Sequence, residues 1–123
     1  MIVLDHLLRR EILAMEGEKM GLHVGDQEID DMITKRRQIY VLGQTQDLFI
    51  LGAWPKDRDR DGKPVAAPHF YYDLFKRWVQ NHLQMKVQDF RAQQRRELLA
   101  QKVEDTIKNG VIVSDREALA KFE

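Results

Sequence analysis

Three aspartates at alternate positions are the residues of this chain whose spacing most resembles a metal site. The segment "KDRDRDGKPV" places Asp57, Asp59 and Asp61 two residues apart and follows them with Gly62. An EF-hand calcium loop begins this way, but it also needs a bidentate glutamate at its twelfth position. That position is Pro68 here, and arginines alternate with the aspartates. We therefore predict a solvated turn and no metal site, with the three aspartates as the candidate ligands if a cation does bind.

Other residue types give no sign of catalysis. The chain has no cysteine, which excludes disulfides, thiol nucleophiles and cysteine metal sites. Its single serine, Ser114, stands where a helix cap is expected. The four histidines do not pair at metal-ligand spacing on one helix face. The sequence therefore predicts no catalytic residue and no cofactor.

One basic segment has the composition of a nucleic-acid recognition helix. "RAQQRRELLAQK" carries Arg91, Arg95, Arg96 and Lys102. The whole chain is neutral, however, with 20 acidic and 20 basic residues, and it shows no compact helix-turn-helix pattern. We therefore predict the solvated face of an amphipathic helix and no nucleic-acid partner. We also predict no membrane insertion, because the longest apolar runs, such as "LFILGAW", are far too short to span a bilayer.

Aromatic residues are concentrated in "HFYYDLFKRW", residues 69–78. These rings are too many to face one core, so some should be exposed or half-buried, as in a peptide-binding groove. Together with the apolar "LFILGAW" stretch, they give a candidate peptide-binding set: Phe49, Trp54, Tyr71, Tyr72 and Trp78. The alternative is that the rings pack beneath a long loop.

The apolar periodicity predicts an all-α fold in a single domain that covers residues 1–123. Five helices are expected, at about 3–20, 25–42, 70–82, 87–108 and from 114 onward. Between the second and third lies a long irregular connection, 43–69, which holds all three prolines and a short hairpin around "KDRDRDGK". Asn109-Gly110 is expected to end the fourth helix, and Ser114 with Glu117 to form a capping box for the fifth.

The first helix carries an apolar stripe that we expect to be covered: Val3, Leu4, Leu7, Leu8, Ile12 and Met15. The short last helix also needs a partner surface, because isolated helices of this length are marginal in water. We therefore predict that the isolated chain forms a homodimer by exchanging helices. The competing outcome is a monomer in which helix 87–108 folds back onto helix 3–20.

The order of these motifs resembles the N-terminal domain of SurA-type chaperones and related parvulin-linked peptidyl-prolyl isomerases. "LLRREILAMEGEKMGLHVGDQEIDDMI" is similar to that family's leucine-rich helix and the acidic helix start after it. "WVQNHLQM" and "VQDFRAQQRRELLAQKV" are similar to its next two segments, and "GVIVSDREALAKFE" to the segment that often leads to a parvulin domain. The connection 43–69 is longer than in the family. The strand usual before the first helix is absent, so the chain looks like a fragment.

The resemblance implies an all-helical module that binds unfolded or extracytoplasmic client polypeptides. It implies a periplasmic or otherwise extracytoplasmic location, although the N-terminus lacks the features of a signal peptide. The parent protein would be a peptidyl-prolyl cis-trans isomerase, but no parvulin catalytic domain fits within this chain. The alternative function is a self-associating helical regulatory domain, including one that binds calcium or nucleic acid.

Overall fold

The computed structural model describes the backbone of residues 2–122 and the side chains of residues 5–109. This backbone contains five helices and four strands. In chain order they are α1 Ile2–Lys19, α2 Asp26–Thr34, β1 Gln38–Val41, β2 Gln44–Asp47, α3 Leu48–Leu51, β3 Lys56–Arg58, β4 Pro64–Ala66, α4 Tyr72–His82 and α5 Val87–Phe122. β1 pairs with β2 and β3 with β4, both antiparallel, so the fold is mixed α/β.

The first hairpin, β1–β2, makes the all-α prediction wrong. The predicted second helix runs to residue 42, but α2 ends at Thr34. Leu42 and Gly43 follow β1 with φ of 51° and 80°. Positive φ at both central residues of a two-residue loop is the geometry that matches the twist of paired strands. β-branched and aromatic residues before this turn therefore extend into a strand.

The second hairpin, β3–β4, confirms the short hairpin predicted around "KDRDRDGK". Two other parts of the predicted irregular connection are also regular, namely β2 and the single-turn α3. Asp47 caps α3, because its carboxylate accepts a hydrogen bond from the Phe49 N–H at 2.8 Å. Gly52 ends the turn in the left-handed conformation.

The longer helices agree with the periodicity except at the end of α5. α1 and α4 begin and end within two residues of the predicted bounds. α5 continues to Phe122, so the predicted break at Asn109-Gly110 is wrong. The side chains of Ser114 and Glu117, and those of the predicted last helix, lie outside the described side chains.

The chain forms two compact units. The first unit comprises Met1–His23 and Arg96–Glu123, and the second comprises Val24–Arg95. In the first unit α1 lies very close to α5 at Gly17, where an added Cβ would stand 2.9 Å from Leu99 Cδ1 and from Val103 Cγ2. The helices can approach this closely because glycine has no side chain.

The second unit is built around a row of aromatic rings. The ring centroids of Trp54 and Phe70 are 5.8 Å apart, those of Phe70 and Phe75 5.5 Å, and those of Phe75 and Phe90 5.7 Å. Such tilted and edge-on pairs are favourable beyond the apolar area that they bury. Buried aliphatic side chains complete this core: Val24, Ile29, Met32, Ile33, Ile39, Leu48 and Val79.

A buried amide joins the beginning of α5 to β1 within the second unit. Gln94 Oε1 accepts a hydrogen bond from the Tyr40 N–H at 2.7 Å, and Gln94 Nε2 donates to the Tyr40 carbonyl at 2.8 Å. The side chain of Gln94 is almost fully buried. Its amide therefore takes the place of a neighbouring strand for one residue of β1.

Candidate functional site

The two tryptophans of the predicted peptide-binding set lie in the core of the second unit. Trp54 is 4% exposed and donates its ring N–H to the Ala67 carbonyl at 2.7 Å. Trp78 is 8% exposed and donates to the Leu51 carbonyl at 2.9 Å. Because both polar groups are hydrogen-bonded inside the unit, these tryptophans hold the loops around α3 and β4 in place.

Phe49 is half-buried and belongs to a small charged turn. The Arg37 guanidinium lies 6.0 Å from the centre of the Phe49 ring, within the range of a cation–π contact. Asp47 holds the same guanidinium with two hydrogen bonds of 3.0 and 3.1 Å. Phe49 is therefore already occupied on one face by a side chain of its own unit.

Tyr71 and Tyr72 are the exposed members of the predicted set. They are 55% and 51% exposed and stand at the start of α4. Each borders an open groove. Tyr72 lines one of about 480 Å³ between α4 and the beginning of α5, and Tyr71 lines another of about 490 Å³ along α4. The structure thus places both tyrosines beside space that a ligand could enter.

Lys76 and Gln80 line both grooves and join them into one region, which we call the α4 surface. Its lining residues are Tyr71, Tyr72, Asp73, Lys76, Arg77, Gln80, Lys86, Val87, Gln88 and Arg91. The sequence pointed to Arg91 only as a nucleic-acid contact and did not identify the other charged and amide side chains of this surface. A usable signal was present, because Tyr72, Lys76 and Gln80 recur at four-residue steps and therefore share one helix face.

The charge of the α4 surface is predominantly positive. Lys76, Arg77, Lys86 and Arg91 line it, against a single carboxylate from Asp73. Arg91 also bonds to a carboxylate of α2, which compensates part of its charge. A surface with tyrosines and several cations favours ligands that combine carboxylates with apolar groups.

The basic residues considered for nucleic-acid recognition are bound to groups of their own unit. In the second unit Arg91 bonds to Asp30, and Arg95 bonds to Asp26 and, at 3.2 Å, to the Val24 carbonyl. These contacts engage the cations with the acidic first turns of α2. A phosphate backbone would have to compete with these carboxylates, which weakens the nucleic-acid interpretation.

In the first unit Arg96 forms the centre of a similar network. It donates to Glu11 of α1 at 2.8 and 3.2 Å and also to Glu18. The Arg96 hydrogen bond lowers the pKa of Glu11, against the smaller opposing effect of burial, and Glu11 in turn raises the pKa of Arg96. Lys102 donates to the His23 carbonyl at 3.0 Å. Arg96 therefore stabilises the contact between α1 and α5, and Lys102 joins α5 to the segment that follows α1.

The aspartates considered as calcium ligands close the turn of the second hairpin. Asp59 Oδ1 accepts hydrogen bonds from the N–H groups of Asp61 and Lys63, both at 2.9 Å. Asp57 Oδ1 accepts from the Arg58 N–H at 2.8 Å. These oxygens thus have backbone partners, as in other aspartate-stabilised turns. Among the described residues, no group of three or more histidines and carboxylates could hold a metal ion.

The chain matches no protein-family model, no curated protein and no solved structure. Within residues 2–122, no helix combines the length and apolar character needed to cross a membrane.

Proposed function

We propose that this chain is a client-binding module that holds extended segments of unfolded polypeptides on the α4 surface. The observation that carries the proposal is the pair Tyr71 and Tyr72, both about half exposed and both lining grooves that meet at Lys76 and Gln80. Tyrosine suits such a role because its ring gives apolar contact while its hydroxyl stays hydrated.

The polar residues of the α4 surface fit the backbone and charges of an extended chain. Gln80 and Gln88 each offer an amide that can both donate to and accept from a peptide group. Lys76, Arg77 and Lys86 would attract acidic side chains or a terminal carboxylate. Side-chain contacts of this kind tolerate many sequences, as a binder of varied clients requires.

The resemblance to SurA-type N-terminal domains supports the same class of function. Through the motifs quoted above, it supports a periplasmic or otherwise extracytoplasmic location and a parent protein that carries a parvulin isomerase domain. Of the predicted peptide-binding set we propose Tyr71 and Tyr72 as the contacts, because Trp54 and Trp78 are buried and Arg37 lies over one face of the Phe49 ring. The cations bound within each unit make nucleic acid the weaker alternative ligand.

Fluorescence anisotropy with labelled peptides tests the proposal. The panel holds unstructured peptides that are acidic with aromatic residues, basic with aromatic residues, and acidic without apolar residues. We expect the acidic peptides with aromatic residues to bind most tightly. The double variant Y71S/Y72S should weaken that binding about tenfold, because exposed aromatic anchors commonly carry much of an interface's affinity.

Ile50→Ser is the matched control, because Ile50 is 79% exposed in the same unit but lines neither groove. It should leave peptide binding unchanged. The proposal is wrong if no peptide binds at high micromolar concentration and aggregation of a model client is unaffected. It is also wrong if the tyrosine variant binds as well as the original chain. If single-stranded nucleic acid also binds, and the affinity for both nucleic acid and peptides falls steeply with salt concentration, nucleic acid would be favoured as the ligand.

A further inference from the structure

The outer face of α1 in the first unit exposes three large apolar side chains on successive turns. Leu8 is 59% exposed, Ile12 58% and Met15 53%. The side of α1 that is buried consists instead of Ala14 and Gly17. The apolar stripe predicted to be covered is therefore open at these three positions. A shallow groove of about 330 Å³, lined by Asp5, Leu8, Arg9, Ile12 and Leu13, runs along it.

The spacing of this stripe matches the seam of a two-helix contact. Asp5, Leu8, Ile12, Met15 and Lys19 follow one another at steps of three, four, three and four residues. Alternating steps of this kind keep residues on one line of a helix that faces a partner helix. The three apolar residues lie at the centre, and a carboxylate and an ammonium group stand at opposite ends. The seam is thus apolar in the middle and oppositely charged at its two ends.

We propose that this stripe is the interface with a second copy of the chain, with the two α1 helices antiparallel and related by a two-fold axis near Ile12. The charges at the two ends of the stripe favour a second copy of this chain as the partner and an antiparallel orientation of the two α1 helices. In the antiparallel arrangement Asp5 of each copy faces Lys19 of the other, whereas a parallel arrangement would place like charges together. A two-fold interface needs a surface that is complementary to itself, and this one is.

The residues beside the seam show the same complementarity. Arg9 follows Leu8 and Glu16 follows Met15, so both stand on the same side of the stripe. Around an axis near Ile12, Arg9 of one copy lies opposite Glu16 of the other. Arg9 is largely exposed, and its 3.2 Å ion pair with Glu104 leaves it close to the surface. Each dimer would therefore hold two such pairs, one on each side of the axis, with each Arg9 shared between Glu104 of its own chain and Glu16 of the other.

This dimer differs from the helix exchange predicted from the sequence. Within one chain, α1 already contacts α5 through Gly17 and through the Arg96 network. The surface of three apolar side chains is smaller than the roughly 800 Å² per partner of a standard stable interface. We therefore expect association in the micromolar range, with each chain keeping its own fold.

Sedimentation equilibrium across a wide concentration range tests the dimer. The mass of the original chain should rise from that of a monomer toward twice that value. Ile12→Ser should weaken association about tenfold or more, because the residue occurs twice at the axis and loses its apolar burial in both copies. Ile50→Ser and the Y71S/Y72S variant serve as controls and should associate normally.

A charge exchange tests the identity and direction of the partner. Glu16→Arg should weaken association, because it places two arginines opposite one another across the axis. The double variant R9E/E16R restores opposite charges and should recover association, while circular dichroism confirms that each variant folds. A monomer at every concentration would overturn the proposal. So would a dimer that Ile12→Ser leaves intact, or a double variant that associates no better than Glu16→Arg alone.

Discussion

The two units of this protein are stabilised by different means. The second unit surrounds a row of aromatic rings with aliphatic side chains, and its ion pairs lie at the periphery. Within residues 5–23 and 96–109, whose side chains are described, the first unit contains no Phe, Tyr or Trp. Their buried apolar side chains are Ala14, Leu99, Ala100 and Val103. Stability in the first unit therefore depends on close helix contact and on charge pairing to a greater degree.

The first unit also differs from the second in burying a charged side chain. Glu97 is 5% exposed in the first unit, and its carboxylate lies 3.4 Å from Arg10 Nη1 and 3.6 Å from His6 Nε2. Burying such groups has a desolvation cost that can exceed their mutual attraction. Among the described side chains, those of the first unit thus bury fewer large apolar groups than those of the second and also bury the Glu97 carboxylate.

The largest expected change in the free energy of unfolding comes from removing an aromatic ring from the core of the second unit. Phe90 is 2% exposed and packs edge-on against Phe75, so Phe90→Ala should lower the free energy of unfolding by roughly 3–5 kcal/mol. Both tryptophans of the chain lie in this unit, so urea unfolding followed by tryptophan fluorescence measures it directly. Ile50→Ala is the control, since Ile50 is mostly exposed and should change stability little. An equally small effect of Phe90→Ala would contradict the aromatic core.

The next effect concerns the helix contact of the first unit. Gly17→Val adds a branched side chain where a Cβ alone would meet Leu99 and Val103 at 2.9 Å, so the side chains of Leu99 and Val103 or the helices that carry them must shift. We expect a loss of roughly 1–3 kcal/mol, the usual cost of overpacking. Hydrogen exchange of the α1 amides is the measurement, because the first unit has no tryptophan. Gly17→Ala should show a smaller loss of stability. If both variants were as stable as the original chain, close contact at this position would be ruled out.

A smaller effect is expected in the second hairpin. Asp59→Ala removes the acceptor of two backbone N–H groups and should cost about 1 kcal/mol, whereas Asp59→Asn keeps an acceptor oxygen and should be nearly neutral. Thermal melts of all three proteins, each with millimolar calcium and with a chelator, measure both points. A clear rise of the melting temperature in calcium would overturn the interpretation of this segment as a turn, because a ligand of the folded state must stabilise it.

The smallest expected change in stability concerns the half-buried ion pair of Glu11 and Arg96 in the first unit, and it depends on pH. The pKa of Glu11 is lowered by Arg96, so the folded state holds this carboxylate ionised more strongly than the unfolded state does. Its contribution is fully present above the ordinary value of 4.5 and is lost as the pH falls through the lower, folded pKa. Glu11→Gln should therefore be slightly less stable than the original chain at pH 7 and equally stable in strong acid. A difference between the two that persists in strong acid would mean that Glu11 acts by packing instead.

The sequence predicts well those elements whose period is long and regular. The apolar repeats of α1 and α4 place both helices within two residues. The β1–β2 hairpin was missed because its turn begins with Leu42, a residue that rarely adopts positive φ and gives no turn signal of its own. The acidic start of α2 indicated a helix correctly, but nothing after it marked the end at Thr34.

Sites could be predicted less completely than elements. The sequence identified an excess of aromatic residues, but it could not separate Trp54 and Trp78, which are buried, from Tyr71 and Tyr72, which are exposed. The partners of the tryptophan N–H groups are carbonyls 27 and 13 residues away along the chain. The sequence identified the arginines of α5 as a basic face. Their carboxylate partners on α1 and α2, however, lie 61 to 85 residues away along the chain. Such contacts leave no local pattern.

The amide of Gln94 has a consequence for how strands can add to this protein. A sheet edge normally presents free N–H and carbonyl groups to which an extended chain can pair, the origin of both strand-addition binding and edge-to-edge aggregation. At Tyr40 both groups of the outer edge of β1 are occupied by Gln94. An incoming strand cannot continue the sheet past this residue. The hairpin is thereby limited to two strands on this side, and a polypeptide held by the second unit cannot bind as a third strand beside β1 at Tyr40.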